Sequence, residues 1–248
     1  MERIGLIETM RYEDGRVFLL EEHLRRLSSG CRALGLRPPS HRVVRGAIGL
    51  LVRKSPLRRC RLRAVWSCRR GAMRLAIASL PLAVLPASGY KVMFEQRRRF
   101  KPTPLSAFKT TRRAFYEALF TRARRKGFDE ALFFNAAGAL VEGTRTNVFL
   151  VAKGRLLTPA LACGCLPGVT RRAVVRMARS LKIPVRQASL SPRDLARCQE
   201  AFVTNAVIGI VPVRRLGPRE MPAVCPGPVT RRLLTSYRKA VETKAVRV

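Results

Sequence analysis

Apolar and polar residues alternate from Ile4 to Leu20 on either side of Glu13-Asp14-Gly15. This period of two predicts a hairpin: a strand over about 4–12, a tight turn, and a second strand through Leu20. The period then lengthens. Leu24, Leu27, Cys31 and Leu34 recur at helical spacing, and Gly35 and Pro38 end that helix. "HRVVRGAIGLLVRK" is a second amphipathic helix, and "CRLRAVWSC", "GAMRLAIASL" and "GYKVMFEQ" read as three strands on short turns. "RRRFKPTPLSAF" carries two prolines and no period, so it reads as a linker or active-site loop. A helix is expected from Lys109 to about Lys126, where Gly127 stops it. Strands follow through "DEALFFNAAGALVEGTRTNVFLVAKGRLLTP", with turns at Asn135–Gly138 and Lys153-Gly154. "LPGVTRRAVVRMARSLKI" is a helix behind a Pro-Gly turn, "QEAFVTNAVIGIVPVRRL" a strand, turn and further apolar stretch, and "GPVTRRLLTSYRKAVE" a closing helix. Strands and helices are mixed rather than strictly alternating, which predicts an α+β fold. The aperiodic stretch near 100–108 divides the chain into expected subdomains 1–104 and 105–248.

Charge changes this picture less than its size suggests. The chain has 248 residues and a formal net charge of +35, from 50 Lys+Arg against 15 Asp+Glu. Such an excess points first to nucleic acid or an acidic membrane surface. The arginines, however, run along the whole chain inside amphipathic segments, with no basic tail and few aromatic residues for base stacking. A nucleic-acid partner is therefore disfavoured, and an anionic small-molecule ligand is expected instead. The longest apolar runs are broken by proline and too short to span a bilayer, so no membrane association is expected. The seven cysteines show no CxxC pair, and the chain starts without a signal peptide, which reads as reduced thiols in a cytoplasmic protein. With only His23 and His41, neither a histidine-based metal site nor a triad is expected.

Lys109 stands out in "SAFKTTRRAFYEAL", because nearly all other basic residues nearby are arginine. It is either a solvated helix cap or a nucleophilic amine, since an amine condenses with a carbonyl and a guanidinium does not. Val169 and Thr170 in "LPGVTRR" stand where a helix starts, with free N–H groups and a hydroxyl suited to phosphate. Thr204 and Asn205 in "FVTNAVIG" form a second possible cradle. Glu142 follows an apolar strand directly and must be either exposed or paired.

Taken in order, "HLRRL", "FKTT", "DEALFFNAAGALVEGTRTNVFLV", "LPGVTRRAVV" and "FVTNAVIGIVPV" resemble the fold-type IV pyridoxal-phosphate enzymes. That family includes the branched-chain and D-amino-acid aminotransferases and 4-amino-4-deoxychorismate lyase. The resemblance covers nearly all of residues 4–235. It implies two subdomains with pyridoxal 5'-phosphate between them, and a homodimer. It also implies that Lys109 carries the cofactor and moves protons, that Glu142 pairs with the pyridine nitrogen, and that Arg26 meets the phosphate together with Val169 and Thr170. Arg25, one helix position away from Arg26, is expected on the solvent side. Within the family, Asn205-Ala206 and the absence of a tyrosine five residues after Lys109 (the residue there is Ala114) resemble the lyase, which releases pyruvate to give 4-aminobenzoate for folate biosynthesis. Aminotransferases place a hydroxyl-bearing residue where Ala206 stands. The lyase substrate carries two carboxylates, and Arg97, Arg99 and Lys101 are candidates to meet one of them. Amino transfer on branched-chain or D-amino acids is the alternative within the fold, and a catalytically dead nucleic-acid-binding scaffold is the alternative outside it. Family members begin with a further strand pair before the segment matching Ile4, so the first subdomain is expected to be shortened at its start.

Overall fold

The computed structural model describes residues 4–221 and 225–248; side chains at 97–99 lie outside that description. The chain forms two compact units. The first comprises residues 1–84, 108–112 and 240–248, and the second 85–107 and 113–239. This differs from the division expected at 104/105. The strand 90–100 pairs with strands of the second unit, while Lys109 returns to the first through backbone bonds to its opening strand.

In the first unit, β1 (Leu6–Glu13) turns at Asp14-Gly15 into β2 (Arg16–Val17). The predicted second strand through Leu20 is cut short there. Leu19 adopts a left-handed conformation at φ 57°, and α1 (Leu20–Ala33) starts at once, burying Leu20, His23, Leu24, Leu27 and Cys31. α2 (His41–Lys54) buries Val44, Ile48 and Val52. β3 (Arg59–Arg69) and β4 (Ala72–Leu80) form an antiparallel hairpin, and β3 pairs with β1. In β3, Cys60, Leu62 and Ala64 are buried and alternate with arginines 59, 61 and 63. That alternation lets one sheet face pack on the helices while the other carries charge.

The second unit is built on a single mixed sheet. Its members are β5 (Tyr90–Phe100), β6 (Glu130–Asn135), β7 (Leu140–Gly143), β8 (Asn147–Ala152), β9 (Arg155–Pro159), β10 (Val185–Ala188), β11 (Glu200–Asn205), β12 (Gly209–Leu216) and β13 (Arg219–Glu220). The order is β10-β9-β8-β11-β12-β5-β6-β7, with β13 on β12. One face encloses Leu132, Phe134, Leu140, Val148, Leu150, Val203, Val211 and Val213. α3 (Ala114–Arg125) covers Phe133, Ala131 and Val141 on another face. The unit also holds α4 (Val169–Ser180) and α5 (Pro192–Arg197), whose start is closed by a Ser191–Asp194 capping box. α6 (Pro228–Lys244) runs out of the second unit into the first, where β14 (Val246–Arg247) joins β2.

The helix expected from Lys109 starts instead at Ala114. The segment before it is extended: Ile7 N–H donates to the Lys109 carbonyl at 2.7 Å, and Thr111 N–H donates to the Gly5 carbonyl at 2.9 Å. Satisfying these backbone groups on the edge of β1 excludes a helical turn there. No described helix is long and apolar enough to cross a membrane.

Candidate active site

In the first unit, the extended placement of Lys109 brings its side chain to β1. Lys109 Nζ donates to Thr9 Oγ1 at 3.2 Å. On the helix-facing side of β1 lies a buried ionic cluster centred on Glu8, which is 3% exposed. Arg26 donates to Glu8 from Nε at 2.8 Å and from Nη2 at 2.6 Å. His23 Nδ1 lies 2.6 Å from the same carboxylate. His23 and Arg26 are three residues apart on α1 and so share the face that meets the sheet. The side chain of Arg25 is 68% exposed, against 10% for Arg26.

Burial by itself would raise the Glu8 carboxyl, but the charge and hydrogen bonds of Arg26 and His23 overcome it and hold Glu8 at about 2. Burial pushes His23 below its ordinary value; Glu8 opposes this, and the charges of Arg26 and Lys109 add to it. The predicted phosphate-facing guanidinium is thus clamped by a carboxylate along its Nε–Nη2 edge. Its Nη1 is not used by Glu8.

The second unit holds the other predicted groups. Glu142, on β7, is 6% exposed. Its Oε2 accepts from Asn147 Nδ2 at 2.9 Å and from the Leu166 N–H at 3.1 Å. Asn147 also donates to the Leu166 carbonyl at 3.0 Å. A Cβ on Gly168 would collide with Asn147 Oδ1, so glycine is required for this approach. Burial, reinforced by the charge of Glu142, raises the Tyr116 hydroxyl well above its ordinary value and pushes Cys165 up to about 12. Glu142 therefore acts as a negative charge on its surroundings from within a partly apolar wall.

Val169 and Thr170 open α4 behind Gly168, and no side chain caps that end. The Thr170 hydroxyl is buried and has no hydrogen-bond partner among the described residues. The start of α6, by contrast, is closed by Glu200, which accepts from the N–H groups of Val229 and Thr230 at 3.0 and 2.7 Å. An uncapped helix start with a buried, unmatched hydroxyl fits a phosphate, whose oxygens would accept from those N–H groups and from Thr170. Thr204 Oγ1 and Thr230 Oγ1 are further buried hydroxyls without a hydrogen-bond partner among the described residues.

Asn205 serves a different purpose from Thr204. Its Oδ1 accepts from the N–H groups of Val207 and Ile208, both at 2.9 Å, and its Nδ2 donates to the Arg145 carbonyl. Asn205 thus shapes the turn that carries Ala206. Lys101 is exposed, and the side chains of Arg97 and Arg99 lie outside those described. Sequence reasoning passed over Glu8, Thr9, His23 and Asn147. The spacing of His23 and Arg26 was the one local signal, while Glu8 and Asn147 acquire their roles from partners distant in the chain.

Known proteins of similar sequence and fold are mostly aminotransferases. A Methanocaldococcus jannaschii protein assigned as a branched-chain-amino-acid aminotransferase is 29% identical over 97% of this chain and 88% of its own length. A Thermotoga maritima protein assigned likewise is 39% identical over 48% of this chain, a stretch spanning only 44% of that relative. Among solved structures, the branched-chain aminotransferase of Thermoproteus uzoniensis superposes with a TM-score of 0.89 at 28% identity, over 98% of this chain and 90% of that one. The PLP form of the Thermobaculum terrenum branched-chain aminotransferase gives 0.83 at 25% identity, over 96% and 84%. A Legionella pneumophila protein assigned as a 4-amino-4-deoxychorismate lyase shares the fold, with a TM-score of 0.88 at 24% identity over 95% and 90%. The model of the amino-transferase class IV family matches residues 5–216, from just before β1 to the end of β12, and the chain belongs to that family.

Proposed function

We propose that the chain is a pyridoxal-5'-phosphate enzyme that transfers the amino group of a branched-chain amino acid to a keto acid. The observation that carries this reading is in the second unit. There a buried carboxylate held by Asn147 and the uncapped, hydroxyl-bearing start of α4 offer the two charges that a protonated pyridine and a phosphate require. The named aminotransferase relatives support the choice of reaction. When bound, the cofactor supplies an electron sink for cleavage of a bond at the amino-bearing carbon. Lys109 would hold it through Nζ, and the same amine would take and return the proton at that carbon. Thr9 Oγ1 orients Nζ for this transfer. Glu142 would face the ring nitrogen and favour its protonated form, and Asn147 and the Leu166 N–H hold Glu142 in place. The Glu8 clamp fixes the Arg26 guanidinium so that Nη1 can serve the phosphate. A homodimer belongs to the same reading.

A second reading, 4-amino-4-deoxychorismate lyase, rests on one specific feature: Ala206 puts a methyl group in the turn after β11, where the aminotransferases place a hydroxyl-bearing residue. One experiment separates the two. Protein loaded with pyridoxal phosphate is reduced with borohydride and digested, and the label is expected on the peptide containing Lys109. Loaded protein is then given leucine with 2-oxoglutarate, and separately aminodeoxychorismate. Rapid glutamate formation supports transamination, and pyruvate release without a keto acid supports the lyase. Labelling of another lysine, or of none, overturns both. In the Lys109→Ala variant, label and turnover should vanish while the melting temperature stays within about 4 °C of the parent, as expected when no core contact is lost.

A further inference from the structure

We infer that Glu130 is a positioning residue: it sets the turn between β7 and β8, and through that turn the Glu142–Asn147 pair on which the cofactor reading rests. Glu130 opens β6 and is 1% exposed. Among the described residues no lysine or arginine pairs with it. Its five partners are hydrogen-bond donors. Oε1 accepts from the N–H groups of Ala131 at 2.8 Å and Thr144 at 2.9 Å, and from Thr144 Oγ1 at 2.5 Å. Oε2 accepts from the Arg145 N–H at 3.0 Å and Thr146 Oγ1 at 2.9 Å. Four of these donors belong to residues 144–146, which lie between Glu142 and Asn147. Burial without a cation raises the Glu130 carboxyl above its ordinary value, and the donors around it work against that rise.

The rest of the turn is held as firmly. Gly143 N–H donates to the Thr146 carbonyl at 2.7 Å, Arg113 donates to the Thr144 carbonyl at 2.8 Å, and Asn205 donates to the Arg145 carbonyl at 3.1 Å. A Cβ on Gly143 would lie 2.9 Å from the Glu130 carboxyl carbon, so the carboxylate sits directly beneath the turn. Glutamine at position 130 would present an NH₂ where an oxygen now accepts. Placed at Oε2 it would face the Arg145 N–H, which cannot reverse its direction, and the turn would have to move away. Glu142 and Asn147, at its two ends, would move with it. The Val169–Arg171 N–H groups and Thr170 lie on α4, outside the turn.

The test compares two ligands in Glu130→Gln and the parent: pyridoxal phosphate, which needs the ring partner, and inorganic phosphate, which needs only the start of α4. Affinity for pyridoxal phosphate should fall by about ten- to a hundred-fold, as expected for a buried group left unmatched, while phosphate affinity falls by a smaller factor, since Asn147 meets the start of α4 only through Leu166 and Gly168. Equal losses for both ligands, or no loss for either, overturn the inference. If Glu130→Gln does not fold, Thr146→Val removes a single donor and should show a smaller loss confined to pyridoxal phosphate; equal affinities there overturn the inference as well. A parent protein that binds phosphate but not pyridoxal phosphate would instead refute the cofactor reading itself, leaving the phosphate site standing.

Discussion

Replacing Glu8 with glutamine removes the charge at the centre of the cluster below Lys109. The carboxylate is held at about 2 against an ordinary 4.5, a gap that corresponds to about 3 kcal/mol of preference for the ionised form in the folded state. The geometry leads to the same figure independently. Breaking a buried ion pair from one side costs about 3–5 kcal/mol, and glutamine retains one acceptor for Arg26, which places the change at the lower end. The sign follows from the depressed value. The contribution is fully present above about 4.5 and is lost as pH falls toward 2. Burial lowers His23 and Glu8 opposes that lowering, so the Glu8→Gln variant loses more stability than the parent as pH falls below the ordinary 6.5 of histidine. The Glu8 contribution is therefore read in the window below about 4.5. Urea unfolding at steps from pH 7 to pH 2 should give a parent advantage of about 3 kcal/mol at neutral pH that shrinks toward zero at the acid end. A difference that is small at pH 7, or constant across the range, would refute the assignment of Glu8 as an ionised clamp.

Three further substitutions test the second unit. Gly168→Ala should destabilise the protein by about 1–3 kcal/mol, because the new methyl group meets Asn147 Oδ1; thermal melting and cofactor titration should deteriorate together. Thr170→Val should leave the melting temperature equal or slightly higher, since the hydroxyl has no partner among the described residues, yet weaken phosphate binding about ten-fold by equilibrium titration. Glu142→Gln should keep the fold and slow turnover of the loaded enzyme by at least about ten-fold, read by single-turnover kinetics; an unchanged rate would remove Glu142 from the chemistry.

Much of the architecture could be read from local pattern. The helices 20–33, 41–54 and 169–180 show clear helical periodicity, and their buried faces are the ones it marks. The strands 59–69 and 72–80 alternate as their burial does along most of their length. Local pattern left Lys109, Glu142, Val169 and Thr170 each with two readings, and only the resemblance of the ordered motifs to a known family joined them, with Arg26, into one expected site. The short elements 185–188 and 192–197 were missed, since four to six residues carry too little period to distinguish from loop.

Local sequence also misjudged residues whose conformation is set from elsewhere in the chain. Residues 109–113 have acceptable helix propensity, but Lys109 hydrogen-bonds to Ile7 of β1 and Thr111 to Gly5 just before it, about a hundred residues earlier, and this holds them extended. Propensity amounts to tenths of a kcal/mol per residue and yields to such pairing. His23 takes its role from Glu8, on a different element. Glu130 takes its role from three turn residues more than ten positions away. The sequence by itself determined which segments bury which faces, because periodicity and burial are properties of a few consecutive residues. Only the tertiary structure decided which buried charges meet which donors. A carboxylate's role depends on partners brought together by the fold, and no local spacing encodes them.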